Sequence, residues 1–238
     1  MSWTTPDQTG FALPAEDGSL ICGVRGGLHR FDPETGEFNL VLPVDMDRPG
    51  NRLNDGFVDP EGGLWFGTMD DGEAARTGAL YRWFKGHLER HDDDYGITNG
   101  PAMSPDGRVV YHHDTVDRTI FAYDHHQGCL RNRRVFAVPL NGYPDGPAVD
   151  VDGTLWVGLF HGHGVGRFRP DGQELEVMPF PVPTVTKVAF GGEDLKTVYA
   201  TTAWKGLDPQ ARKANPTAGG LFSFRVDRPG LPSNRIRL

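Results

Sequence analysis

The sequence predicts an all-β fold, a β-propeller of about five blades formed as one domain over residues 1–238. Three observations lead there. A turn-and-strand pattern recurs about every 45 residues, the length of a four-stranded blade. The chain holds 32 Gly and 19 Pro, spread along its length, which excludes a helical bundle. No segment sustains a 3.6-residue apolar period with caps, whereas alternation at period two is common.

The repeat begins with an apolar pair, continues through an acidic turn ending in Gly, and enters an alternating strand. Ala12-Leu13 leads into Glu16-Asp17-Gly18 and Ser19-Leu20-Ile21. Phe57-Val58 leads into Asp59-Pro60-Glu61-Gly62-Gly63 and Leu64-Trp65-Phe66. Ala102-Met103 leads into Ser104-Pro105-Asp106-Gly107, and Ala148-Val149 into Asp150-Val151-Asp152-Gly153 and Thr154-Leu155-Trp156. A looser fifth copy runs from Val188-Ala189-Phe190 through Gly191-Gly192-Glu193-Asp194. Gly18, Gly63, Gly107 and Gly153 are spaced 45, 44 and 46 residues apart. Asp-Gly and Pro-Asp-Gly supply the bent and positive-φ positions of tight hairpins. A second strand follows each, as in Leu28–Phe31, Ala79–Trp83, Ile120–Tyr123, Val165–Phe168 and Leu221–Phe224. The polar stretch 205–220 is expected to be a long loop. Asp92-Asp93-Asp94 is expected to be a solvated turn, since it lacks the later Glu of a calcium loop.

Composition narrows the function classes. A net charge of −8 without a basic cluster longer than Arg131/Arg133/Arg134 excludes ordinary nucleic-acid binding. No apolar run reaches membrane-spanning length and the N-terminus has no signal-peptide pattern, so a cytoplasmic protein without membrane partners is expected. Cys22 and Cys129 are expected to be buried free thiols, because two cysteines make no disulfide framework.

Three polar groups are not required by the hairpin turns. They are Asn51-Arg52-Leu53-Asn54-Asp55-Gly56, Thr98-Asn99-Gly100-Pro101 and Tyr143-Pro144-Asp145-Gly146. Asn54, Asn99 and Asp145 precede their turn glycines by 9, 8 and 8 residues. In a propeller such equivalent positions form a ring at a channel mouth. Two carboxamides, a carboxylate and Arg52 would then converge there, and hard oxygens of this kind suit calcium, magnesium, manganese or zinc. The plainer alternative is that all three groups are further turns.

At these residues the sequence resembles the gluconolactonase/regucalcin (senescence marker protein) family. Gly67-Thr68-Met69, Asp150 through Trp156 and Ala189-Phe190-Gly191-Gly192 extend the resemblance over nearly the whole chain. It implies a six-bladed propeller, of which about five complete blades and an incomplete sixth are expected here. It implies one divalent metal ion and hydrolysis of a sugar lactone to an aldonic acid. It assigns metal ligation to Asn99 and Asp145 and substrate contact to Arg52 and Asn54. A third ligand, a Glu, belongs to a segment before the first repeat seen here. A lid loop follows Met69 and carries Asp70, Asp71 and Glu73, in which no substrate ligand is assigned.

Asp145 is the one carboxylate at the three ring positions and so the general-base candidate. No Gly-x-Ser-x-Gly elbow supports a serine nucleophile. His112/His113 and His161/His163 read as core or loop histidines, and Asp114 as a strand-end group. Two other function classes stay open: a non-catalytic calcium-binding or interaction propeller, and a hydrolase of organophosphates or larger lactones on the same scaffold.

Overall fold

The computed structural model describes residues 2–238 and is an all-β propeller chain. Within these residues the strands form five antiparallel sheets, each a meander of consecutive strands. The first holds β1 (Thr9–Pro14), β2 (Leu20–Val24), β3 (Gly27–Phe31) and β4 (Phe38–Pro43). The second holds β5 (Asn51–Val58), β6 (Leu64–Asp70), β7 (Gly78–Phe84) and β8 (His87–Tyr95). The third holds β9 (Thr98–Met103), β10 (Val109–Asp114), β11 (Thr119–His126) and β12 (Cys129–Ala137). The fourth holds β13 (Tyr143–Val149), β14 (Leu155–Phe160), β15 (Gly164–Phe168) and β16 (Met178–Pro179). The fifth has three strands, β17 (Val185–Gly191), β18 (Thr197–Thr202) and β19 (Leu221–Arg225).

The chain divides into two compact units. One comprises the residues up to Pro101 with His125–Leu130 and Ser233–Leu238; the other comprises Ala102–Asp124 and Arg131–Pro232. In the first, Phe11, Ile21, Leu28, Leu53, Leu64 and Phe66 belong to one buried cluster. In the second, Tyr111, Ile120, Leu155, Val157 and Phe168 form one cluster, and Trp156, Val185 and Val198 belong to another.

The acidic turns are held by their first residue. Asp59 is fully buried. Its Oδ1 accepts the amides of Glu61 and Gly63 at 2.9 and 2.8 Å, and its Oδ2 accepts Trp65 Nε1 at 2.8 Å and Arg82 Nε at 2.9 Å. The second unit repeats this without the arginine. Asp150 Oδ1 accepts the amides of Asp152 and Thr154 at 3.0 and 2.9 Å, and Oδ2 accepts Trp156 Nε1 at 2.9 Å. A carboxylate in water would lose these fixed partners; here they satisfy the turn amides and anchor the next strand's indole.

Opening strands share one irregularity. The β1–β2 register breaks between Thr9 and Phe11, β5–β6 between Leu53 and Gly56, β13–β14 between Asp145 and Ala148, and β17–β18 between Val185 and Lys187. Such bulges re-aim side chains out of the ladder. Glycine permits neighbouring opening strands to close up beside them. A Cβ on Gly10 would stand 2.3 Å from Asn54 O, and one on Gly146 would stand 2.4 Å from Thr186 O.

Several expectations change. Five sheets are present and no incomplete sixth forms among the described residues: residues 226–238 make bridges rather than a strand. In the second unit Gly230 bridges Asp150, and in the first Ile236 bridges Ala15, fully buried. Prolines at 229 and 232 remove the amides that a ladder would need. The stretch 205–220 contains a helix, α1 (Pro209–Ala214), capped by the Asp208 side chain on Ala211 N at 2.7 Å. The residue with positive φ in the second repeat is Gly62, not Gly63. Asp92-Asp93-Asp94 lies in strand β8, with Asp93 paired to Arg90 at 2.8 Å. Cys22 is buried, and burial pushes its thiol up to about 11, but Cys129 is exposed just after the Gln127-Gly128 turn. No helix is long and apolar enough to cross a membrane among the described residues.

Removing the turn carboxylate should cost the two units unequally. Asp59→Ala leaves the Arg82 guanidinium, 8% exposed, with Glu61 alone, and about 3–5 kcal/mol of stability should be lost. Asp150→Ala strands no buried cation and should cost about 1–3 kcal/mol. Urea midpoints at unchanged m-values measure both; equal losses would contradict the role given to Arg82.

Candidate functional site

The predicted site residues fall in both compact units: Arg52, Asn54 and Asn99 in the first, Asp145 in the second. None is in a turn. Arg52 and Asn54 lie on β5, Asn99 on β9 and Asp145 on β13.

In the first unit three of them join in one hydrogen-bonded row. Arg52 Nη1 donates to Asn54 Oδ1 at 2.6 Å. Asn54 Nδ2 donates to Thr98 O at 2.5 Å and to Asn99 Oδ1 at 3.1 Å. The bulge makes this possible, because it removes Asn54 and Asp55 from the β5–β6 pairing. Asp55 is buried and its Oδ2 accepts Gly100 N at 3.0 Å, which fixes the backbone next to Asn99. Asp55 is thus a structural member of Asn54-Asp55-Gly56.

One further residue reaches the row, and the sequence had placed it among the lid-loop acids without giving it a role. Asp71 follows β6, and its Oδ1 stands 3.0 Å from Arg52 Nε. Its Oδ2 is bonded to Arg25 Nη2, and Arg25 also donates to Gln8 Oε1 at 3.1 Å. Partial burial raises the Asp71 carboxyl; the hydrogen bonds from Arg25 and Gln8 and the charges of Arg25 and Arg52 outweigh it and hold the group below the usual carboxylate range. Acidic residues after Met69 were the available signal. Which of them faces Arg52 depends on Arg25, 46 residues away, so spacing could not decide it.

In the second unit Asp145 is half-buried opposite Gly158, at the last paired position before the β13 bulge. Thr115 Oγ1 donates to Pro144 O at 2.7 Å and so ties the end of β10 to the neighbouring residue of Asp145. Lys187 packs against the next residue on, its Cα 2.5 Å from where a Cβ on Gly146 would stand.

Oxygen donors at Asn99 and Asp145 fit a hard divalent cation in kind. Among the described residues, however, no group of three or more His, Cys, Asp or Glu side chains is placed to hold a metal ion. The histidine pairs also carry no such site. His112 and His113 are buried neighbours on β10, paired across to Phe121 and Ile120, and His161 and His163 lie in the β14–β15 loop. Neither ring nitrogen of His113 has a hydrogen-bond partner among the described residues. Burial first, then the charges of His112 and Lys187, hold His113 well below the usual imidazole range.

Residues 1–204 match the SMP-30/Gluconolactonase/LRE-like region. Regucalcin of Sus scrofa is 37% identical over 81% of this chain and 69% of its own length. A 6-deoxy-6-sulfogluconolactonase of Pseudomonas putida is 34% identical over 94% of this chain and 79% of its own length. The crystal structure of a calcium-binding regucalcin from Agrobacterium tumefaciens superposes with a TM-score of 0.94 at 29% identity, covering 99% of this chain and 81% of that one.

The buried imidazole makes stability depend on pH. An unfolded histidine takes up a proton near pH 6.5, whereas folded His113 resists until much lower pH. Acid therefore favours the unfolded chain: stability is full above about pH 6.5 and is lost as pH falls below it. His91, depressed chiefly by burial, acts in the same direction. The urea midpoint should fall between pH 7 and pH 5, and His113→Leu should make that fall shallower. An identical slope in the variant would refute this account.

Proposed function

Because the chain belongs to the SMP-30/Gluconolactonase/LRE-like family, we propose that it hydrolyses a sugar lactone to the aldonic acid. The observation that carries this is the Arg52–Asn54–Asn99 row, in which residues at the family's motif positions are joined through their side chains. The 34%-identical 6-deoxy-6-sulfogluconolactonase supports a gluconolactone-type sugar lactone as the substrate class.

Asp145 acts as the base. Its carboxylate takes a proton from water, and the hydroxide formed adds to the lactone carbonyl carbon. The tetrahedral adduct collapses with cleavage of the ring C–O bond, and the alkoxide takes up the proton. Arg52 and Asn54 meet sugar hydroxyls. Arg52 is prepared for this: Nη1 donates to Asn54 and to Leu53 O and Nε faces Asp71, while Nη2 makes no hydrogen bond among the described residues. A donor held in this way loses little freedom when a hydroxyl arrives. Asn99 and Asp145 are the residues that would hold a divalent cation, which when bound supplies Lewis-acid polarisation of the carbonyl.

One observation favours a second reading. The likeness to a calcium-binding regucalcin fits a non-catalytic, calcium-binding propeller.

Lactone opening followed by acid release at constant pH separates the two. The native protein should open a gluconolactone-type substrate, and Asp145→Asn should lower turnover by about 100-fold or more. Activity close to native in that variant would remove Asp145 from the base role. Treatment with a chelator should abolish turnover, and calcium, zinc, manganese or magnesium should restore it to different extents. A native protein that binds calcium yet opens no lactone would favour the second reading.

A further inference from the structure

We propose that Asp71 is the positioning residue for Arg52. It holds the guanidinium in the orientation that leaves Nη2 for the substrate. The inference rests on the assignment of Arg52 to substrate contact.

Both sides of the interaction are built. On the Asp71 side, the backbone is pinned by its own amide, which donates to Gly50 O at 2.9 Å. The preceding residue braces the loop: Asp70 Oδ2 accepts the amides of Ala74 and Ala75 at 3.0 and 3.1 Å. The carboxylate of Asp71 is therefore delivered by a structured loop and does not depend on a free side-chain rotamer. Its two oxygens are divided between two arginines, Oδ1 facing Arg52 Nε at 3.0 Å and Oδ2 bonded to Arg25. Arg25 is itself tied to Gln8 through both its backbone amide, at 2.9 Å, and its side chain, at 3.1 Å.

On the Arg52 side, Nη1 donates to Asn54 Oδ1 and to Leu53 O at 3.3 Å, while the buried Nε makes no hydrogen bond and meets Asp71 as an ion pair. The Asp71 carboxylate therefore acts on Arg52 through its charge at 3.0 Å, not through a hydrogen bond. Arg52 is 14% exposed, whereas Asp71 and Arg25 are 36% and 30% exposed. The pair is therefore screened on the Asp71 side and sheltered on the Arg52 side, which suits an orienting contact better than a stabilising one. With Asp71 neutral, Arg52 would be held at Nη1 alone, by Asn54 Oδ1 and Leu53 O, and rotation about that nitrogen would carry Nη2 away.

Two measurements test this. The first needs no activity. In proton–nitrogen spectra of the whole chain at pH 6.5, Arg52 Nε–H, assigned through Arg52→Lys, should exchange slowly with water. In Asp71→Asn it should exchange at least tenfold faster, while in Arg25→Gln it should stay slow. An unchanged Arg52 signal in Asp71→Asn overturns the proposal. The second is kinetic. Asp71→Asn should raise KM for the lactone about fivefold and leave kcat within about twofold, the size of one partly exposed ion pair that acts on binding. In an Arg52→Gln background the same change should add nothing, because both act through one group. Effects that multiply in the double variant would show that Asp71 acts independently and would overturn the proposal. A native protein that opens no lactone would instead refute the functional reading, and the spectroscopic result would still decide on Asp71.

Discussion

The geometry depends most on a buried carboxylate at the head of a hairpin turn. Asp59 and Asp150 each gather two turn amides and the indole of the residue six positions on. That one side chain fixes where the opening strand ends and where the second strand begins. A one-residue slip would turn every buried side chain outward. With the turn fixed, the distance back to the bulge is fixed as well, and so is the direction in which the residues at the bulge point. Asn54 and Asp145 therefore owe their placement to carboxylates five residues further along the chain.

The bulge then converts a sheet into a site. A regular ladder would alternate Leu53, Asn54 and Asp55 strictly across two faces. With the register broken between Leu53 and Gly56, Asn54 reaches Thr98 and Asn99 while Asp55 reaches Gly100. Gly10 and Gly146 accept the accompanying close approach of neighbouring backbones, one in each unit. The second unit carries its own version, in which Asp145 stands at the edge of the break and Lys187 packs on Gly146.

Much of this was legible in the sequence for a physical reason: period-two alternation and Asp-Gly turns are local signals. The five repeats, the strand class and the three polar groups all follow from residues close together in the chain. What was not legible is long-range or context-dependent. Helix α1 buries no residue, so it left no apolar period, and only the Asp208-Pro209 cap announced it. Cys129 and Asp92–Asp94 were misplaced because exposure and strand pairing are set by partners outside the local stretch. The site shows the same division: the positions of Arg52 and Asn54 were visible, whereas the Arg25–Asp71 support spans 46 residues and is visible only once β1, β2, β5 and β6 lie in one unit.

The remaining sequence ambiguity was whether Asn54 and Asn99 were merely turn formers. The hydrogen bonds decide against it, through the difference between a carboxamide and a carboxylate. Asn54 accepts from Arg52 with its oxygen and donates to Thr98 O and Asn99 Oδ1 with its nitrogen. An aspartate there could accept from Arg52 but could donate nothing, and its charge would face the Asn99 and Thr98 oxygens. A turn needs neither property, since Asp and Asn serve it alike. The carboxamide at position 54 is the joint through which a cationic side chain on one sheet is coupled to an oxygen donor on the next.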